Sequence, residues 1–257
     1  MPFTFSHPAI VIPIKNKLGK YFDFTALVLG SMAPDFEYFL RFKPMGTIGH
    51  TIGGFFYFNL PLCFIIAYIF HYIVKKPFIF NLPKPIDGWF YHIAVNSWSI
   101  KSVKGFFVFV YSAIIGMFSH VLWDGFTHDG GMFVNRIPLL RKYIYFINNQ
   151  IPMYKFFQHG STLIGFMIIF LYLYRNRNQY KGKNYHTSTK TKLFYYACIL
   201  FITVVSSSYR IFWILGGFNL RYIGSYIVTL INGGLIGVII ASLIFRIYFL
   251  VKSKYDL

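Results

Sequence analysis

The sequence predicts an all-α fold, a polytopic transmembrane bundle of about six spans with added interfacial helices, and three observations carry that prediction. Of the 257 residues, 56% are hydrophobic and only 12% are charged, about half the charged fraction of a soluble domain. Aromatics make up 22%, with 32 Phe and 21 Tyr; Tyr and Trp suit membrane–water interfaces because their rings are apolar and their edges hydrogen-bond. The apolar residues also come in blocks that meet or approach the ~20 residues a helix needs to cross a bilayer core. A mean hydropathy of +0.53 leaves no room for a large soluble domain.

Taken in order, the first apolar stretch, 8–14, is too short to cross. The basic turn 15–20 leads into 22–40, which is apolar until Pro34, Asp35 and Glu37. Residues 7–40 therefore predict a helical hairpin whose first arm is only partly inserted. Spans follow at 56–74, 105–123, 157–174, 193–215 and 223–250. Pro77, Pro83 and Pro85 predict a loop after the first of these, and 86–100, carrying Trp89, Tyr91, His92 and Trp98, an amphipathic interfacial helix. Residues 132–156 predict a similar surface segment on the other face, with Arg136, Arg141, Lys142 and Lys155 set among apolar residues to meet anionic headgroups. The domain reading is a membrane-embedded, site-bearing domain over 1–174, a basic cytoplasmic loop over 175–192, and a two-span hairpin over 193–257.

The net charge of +18 is spread between the apolar blocks, with no nucleic-acid module among them, so no nucleic-acid partner is expected. Placing the 15–20 turn in the cytoplasm gathers sixteen of the 25 Lys and Arg on that side and predicts a cytoplasmic C-terminus. The start lacks the basic region and cleavage site of a signal peptide, so the N-terminus is expected to be retained. Cys63 and Cys198 lie inside apolar blocks and read as small packing residues. Gly233, Gly234 and Gly237 read as helix-packing positions in the last span.

The scarce acids and histidines fall in an uneven pattern. Asp35, Glu37, Asp124 and Asp129, with His50, His120, His128 and His159, sit at span ends on one predicted face. Ionisable groups at membrane depth are costly, and so mark a functional site by default. In S-H-V-L-W-D-G-F-T-H-D-G-G, His120 and Asp124 are four apart and share a helix face, and His128 extends the row. Neutral imidazole and carboxylate are the ligand set of catalytic zinc, manganese and iron sites. The alternative is that Asp124 caps the span or pairs with His120. Asp35, Glu37, His50 and His159 bring metal-compatible groups to three further span ends, against a simple interfacial role for each. Arg210, inside an apolar span, either binds a phosphate or a carboxylate, or snorkels to the interface.

The opening P-F-T-F-S-H-P, with G-S-M-A-P-D-F-E, G-H-T and S-H-x-x-x-D-x-x-T-H, resembles an uncharacterised bacterial multi-pass membrane-protein family, a domain of unknown function. More distantly it resembles membrane-bound predicted metal-dependent hydrolases related to zinc-dependent phospholipase C and the S1/P1 nucleases. That resemblance implies an ordered ligand series of His7, Asp35, His50, His120 with Asp124, His128 and His159. His50, His120 and Asp124 would hold one metal, and Asp124 would bridge to a second held with His7. His128 and His159 would bind a third, and Asp35 would serve as base. The soluble enzymes carry a carboxylate four residues past the last His; here that position is Leu163, and their N-terminal Trp ligand has no counterpart, so the resemblance implies one or two metals.

The expected function is a membrane-embedded hydrolase of the bacterial inner membrane, dependent on a divalent metal, zinc by resemblance. It would act on a lipid or envelope phosphoester, with Asp35 or Glu37 orienting the water and Arg210 available to substrate. A transporter or ion relay would use the same His/Asp cluster but usually shows paired repeats, which are not visible here. A non-catalytic membrane scaffold is the third reading.

Overall fold

The computed structural model describes residues 3–147, 149–178 and 187–255. Much of the basic stretch expected at 175–192, His186 included, lies outside the described residues. Five helices are long and apolar enough to cross a membrane: Ile52–Asn81, Val103–Thr127, Met153–Arg175, Thr189–Ile214 and Leu220–Tyr248, here the first to fifth spans. The architecture is an all-α helical bundle; the sheet among the described residues is one antiparallel hairpin, Tyr143–Phe146 with Asn149–Pro152.

Span starts follow from local capping, in which a side-chain oxygen satisfies an orphan N–H of the first turn. Thr51 accepts from Gly54 N at 2.9 Å, Ser102 from Gly105 N at 3.0 Å and Ser188 from Thr191 N at 3.2 Å. The first span runs through Pro77 to Asn81, where a proline-rich loop was expected. It contains two wide π turns, Phe55–Asn59 and Phe70–Val74, and a proline follows each, Pro61 and Pro77. A proline removes one i→i−4 hydrogen bond and crowds the preceding turn, and a wide turn relieves that crowding without ending the helix.

The stretch 22–40 departs from a span. It divides into Phe24–Met32, the tight 3-10 turn Ala33–Asp35, and Phe36–Arg41. Pro34 lacks the N–H that would continue the first helix. Nine residues reach about 14 Å, less than half a bilayer core. The expected interfacial helices are likewise short turns, Ile86–Trp89 and Tyr91–Val95 in one place, Met132–Arg136 and Pro138–Arg141 before the β-hairpin in the other.

The chain divides into two compact units. In the unit made of residues 1–37, 46–64 and 100–176, Phe24–Met32 packs along the second span. The contact is backbone on backbone: a Cβ on Gly30 would lie 2.1 Å from Ala113 O, and one on Gly116 would lie 2.5 Å from Leu27 O. Ala26, Leu27, Phe109, Ala113 and Met117 fill this crossing, all fully buried. The helix Thr4–Val11 lies against the third span, with Ser6 O 3.0 Å from a Cβ built on Gly165 and Phe3 N donating to Thr162 Oγ1 at 3.1 Å.

The other unit holds residues 38–45, 65–99 and 177–257. Its fourth and fifth spans pack on each other around Tyr195, Ala241 and Phe245, with Tyr195 and Ser242 hydroxyls 2.7 Å apart. Gly233 and Gly237 sit against Ser207 and the Ile199 carbonyl, whereas Gly234 faces open space. The buried Lys192 ammonium donates to Asp87 and to the Leu82 carbonyl.

Gly116→Val is expected to destabilise the protein by on the order of 3 kcal/mol, because the overpacked atom meets backbone that cannot step aside. Gly234→Ala is expected to be neutral or stabilising by about 0.5–1 kcal/mol. Thermal unfolding of the detergent-solubilised protein measures both.

Candidate metal centre

The polar residues of the first unit converge at the end of its glycine crossing. His120 and Asp124 project from one face of the second span's last turns, as their i, i+4 spacing requires. Asp35 arrives on the tight turn Ala33–Asp35, His50 on the loop before the first span, and His7 on Thr4–Val11. His128 is the residue that ends the second span.

One atom each from Asp35, His50, His120 and Asp124 lie within 4.8 Å of one another. Four of the separations are resolved as pairs. His50 Nε2 is 3.5 Å from Asp35 Oδ1 and 3.6 Å from Asp124 Oδ2. His120 Nε2 is 3.5 Å from Asp35 Oδ1 and 3.2 Å from Asp124 Oδ2. Ligands about 2.0–2.2 Å from a tetrahedral cation are about 3.4 Å apart from each other, so these spacings fit the edges of one such polyhedron. The other carboxylate oxygen of Asp124 faces a second pair, His7 Nε2 at 3.6 Å and His128 Nδ1 at 3.4 Å.

Orphaned atoms make the same case. Buried polar atoms are nearly always hydrogen-bonded. Yet both nitrogens of His7, Asp35 Oδ1, His120 Nε2, Asp124 Oδ1 and His128 Nε2 are buried and make no hydrogen bond. The outer contacts are made, by contrast. His120 Nδ1 lies 2.7 Å from the Ser31 carbonyl; a carbonyl only accepts, so Nδ1 carries a proton and the ring turns its Nε2 to the carboxylates. Thr4 Oγ1 donates to Asp35 Oδ2 at 2.6 Å, leaving Oδ1 for the cluster. His7 stacks on His120 with ring centroids 3.8 Å apart, and Trp123 lies 5.3 Å from His7. Burial, then the adjacent His120, pushes the His7 imidazole down to about 3, which keeps it in the neutral, ligating form.

The cluster is closed on one side and open on the other. His7, Asp35 and His120 are fully buried, while the side chains of His50 and His128 are 31% and 27% exposed.

Glu37, expected alongside Asp35 as a water-orienting carboxylate, holds a loop. Its Oε2 accepts from the backbone N–H groups of Thr47, Ile48 and Gly49 at 2.8–2.9 Å, and Oε1 from Thr47 Oγ1 at 3.1 Å. Burial would raise this carboxyl, but the donors at Gly49, Ile48 and Thr47 outweigh it and hold it at about 2. The loop so fixed delivers His50. Gly49 passes against the Pro34 carbonyl, 2.2 Å from where a Cβ would stand, and Asn59 donates to Gly49 O at 2.6 Å. Asp35 and His50 are thus carried on two pieces of backbone in direct contact.

The structure gathers His7, Asp35, His50, His120, Asp124 and His128. His159 is exposed on the third span and makes no ion pair or hydrogen bond with the cluster among the described residues. Arg210 belongs to the other unit, in the π turn Tyr209–Ile214, with its guanidinium 4.7 Å from the Phe42 ring centroid. Sequence reasoning missed Thr4 and the Ser31 carbonyl. Thr4 stands three residues before His7 in a segment whose only signal was its opening motif, and a backbone carbonyl leaves no trace in residue type.

Glu37→Ala would strand four donors, and is expected to cost about 2–4 kcal/mol in stability, read as a lowered thermal midpoint of the detergent-solubilised protein. No curated protein and no solved structure matches the chain. The model of the family described as "Domain of unknown function (DUF4184)" matches residues 1–243, and the chain belongs to that family.

Proposed function

We propose that this chain is a membrane-embedded hydrolase that depends on a divalent metal, zinc in the first instance, and acts on phosphoesters of lipid or envelope origin. The observation that carries the reading is the set of 3.2–3.6 Å separations among imidazole nitrogens and carboxylate oxygens, with Asp35 Oδ1 and His120 Nε2 buried and without hydrogen bonds. A proton on His120 Nε2 would pair with one carboxylate oxygen at a time, whereas one cation would engage the imidazole nitrogens and the carboxylate oxygens together. Five helices of membrane-crossing length and the family's multi-pass resemblance support a bacterial inner-membrane setting.

In this reading Asp35, His50, His120 and Asp124 would hold one cation, and Asp124 with His7 would help hold a second. When bound, such cations polarise a phosphoryl oxygen and lower the pKa of water. The chain's own groups do the rest. Thr4 and the Ser31 carbonyl orient Asp35 and His120. His7 and Trp123 close the buried side against water. Substrate enters past the partly exposed His50 and His128. Since both aspartates serve as ligands, the His128 Nε2, buried and without a hydrogen bond, is placed to accept a proton.

The test is metal content by elemental analysis of the purified protein, wild type against Asp124→Asn and His120→Ala, followed by a phosphodiesterase and phospholipase screen. Wild type is expected to carry one to two metals per chain, and each variant to lose at least about tenfold in metal affinity. Wild type without stoichiometric metal, or variants that keep it, would overturn the metal reading. Loaded protein that turns over no phosphoester would overturn the hydrolase and leave an ion-binding membrane protein.

A further inference from the structure

The segment between the second and third spans begins at the metal-centre end of the second span and returns to the start of the third. Whichever face that is, both its ends lie on it. Between Gly130 and Gln158 the chain has four cations, Arg136, Arg141, Lys142 and Lys155, and no acid.

Its base is anchored. Val134 is fully buried, Leu140 nearly so, and the Phe133 ring stacks on Phe126 at 3.9 Å. Met153 N donates to the Lys142 carbonyl at 2.9 Å, tying the foot of the β-hairpin to the first turn of the third span. The Arg141 guanidinium donates to Asn135 Oδ1 and so is held in place. Beyond this base the hairpin projects. Side chains alternate along a strand, so Tyr143 and Tyr145 share one face, and they are 66% and 81% exposed. The register puts Gln150 opposite Tyr145, and its amide donates to the Tyr145 hydroxyl at 2.6 Å. Ile147 follows at the tip, 78% exposed, with φ +44°. That left-handed conformation favours Gly or Asn and penalises a β-branched side chain, so the turn keeps an exposed isoleucine against its own backbone preference.

Four residues of strand reach about 13 Å, the depth of a headgroup layer and not of a bilayer. Amphipathic tyrosines belong at that depth, and cations with no acid among them complement a negative surface.

We infer that the hairpin Tyr143–Pro152 is a membrane-reading element. It lays Tyr143, Tyr145 and Ile147 into the headgroup region of the leaflet at the metal-centre end, while Arg136, Arg141 and Lys142 bind the phosphates of anionic phospholipids. The inference rests on the membrane setting proposed above and is independent of the metal.

The experiment uses the full chain reconstituted into phosphatidylcholine vesicles with and without phosphatidylglycerol, carrying a nitroxide at Tyr145→Cys. Label background comes from wild type, whose Cys63 and Cys198 both lie within spans. The label is expected to collide more with oxygen than with a water-soluble nickel chelate, and to sink deeper when phosphatidylglycerol is added. Neutralising Arg136, Arg141 and Lys142 to Gln is expected to weaken the phosphatidylglycerol preference about fivefold per cation. Tyr145 is exposed, so its substitution leaves the packed base intact, and Asn149→Cys on the opposite hairpin face reports that the hairpin is formed. A label as open to the nickel chelate as a free nitroxide, in both lipids, would overturn the inference. So would shielding that tracks the protein-to-lipid ratio, which identifies a second copy of the chain as the occupant.

Discussion

The close approach of Phe24–Met32 to the second span is the constraint on which the site depends. Two glycines, Gly30 and Gly116, let backbone meet backbone where any side chain would hold the helices apart. That approach brings the Ser31 carbonyl to His120 and sets Asp35, four residues further on, level with Asp124. Were the helices separated by even one methyl-sized step, the His120 ring would lose the carbonyl that fixes its tautomer. The carboxylates would then leave ligand range of one another. A packing contact between apolar helices therefore decides the geometry of a polar cluster.

That cluster is held by groups that are satisfied, around groups that are not. Thr4, Ser31 and the Glu37 loop supply ordinary hydrogen bonds, each directed outward from the centre. The atoms left over point inward. Gathering them in a buried place is unfavourable unless something positive sits among them, which is why the cost itself is informative about what the site holds.

The bundle was largely legible in the sequence because hydropathy is a sum over ~20 residues and tolerates local irregularity. The pairing of His120 with Asp124 was legible because a helix fixes which residues share a face. Neither rule reaches across the chain. That Asp35 and His50 meet depends on Gly49 fitting under the Pro34 carbonyl, a contact between two loops that no periodicity encodes. Glu37 shows the opposite error. Two residues from Asp35, it had the same chemistry and the same apparent position, but after the proline turn its side chain is engaged by the Thr47–Gly49 backbone. The end of the 22–40 stretch went unread for a related reason: apolar composition continues through Met32, while the helix stops at a missing N–H.

The two π turns of the first span have a consequence beyond accommodating prolines. Each one holds a residue more than a regular turn, and so rotates everything beyond it by about 100° relative to an unbroken helix. The span's first wide turn ends at Asn59, whose buried amide reaches back to the Gly49 carbonyl. Deleting a single residue from that turn would leave the span as long and as greasy as before, yet swing the asparagine out of reach of the loop that presents His50.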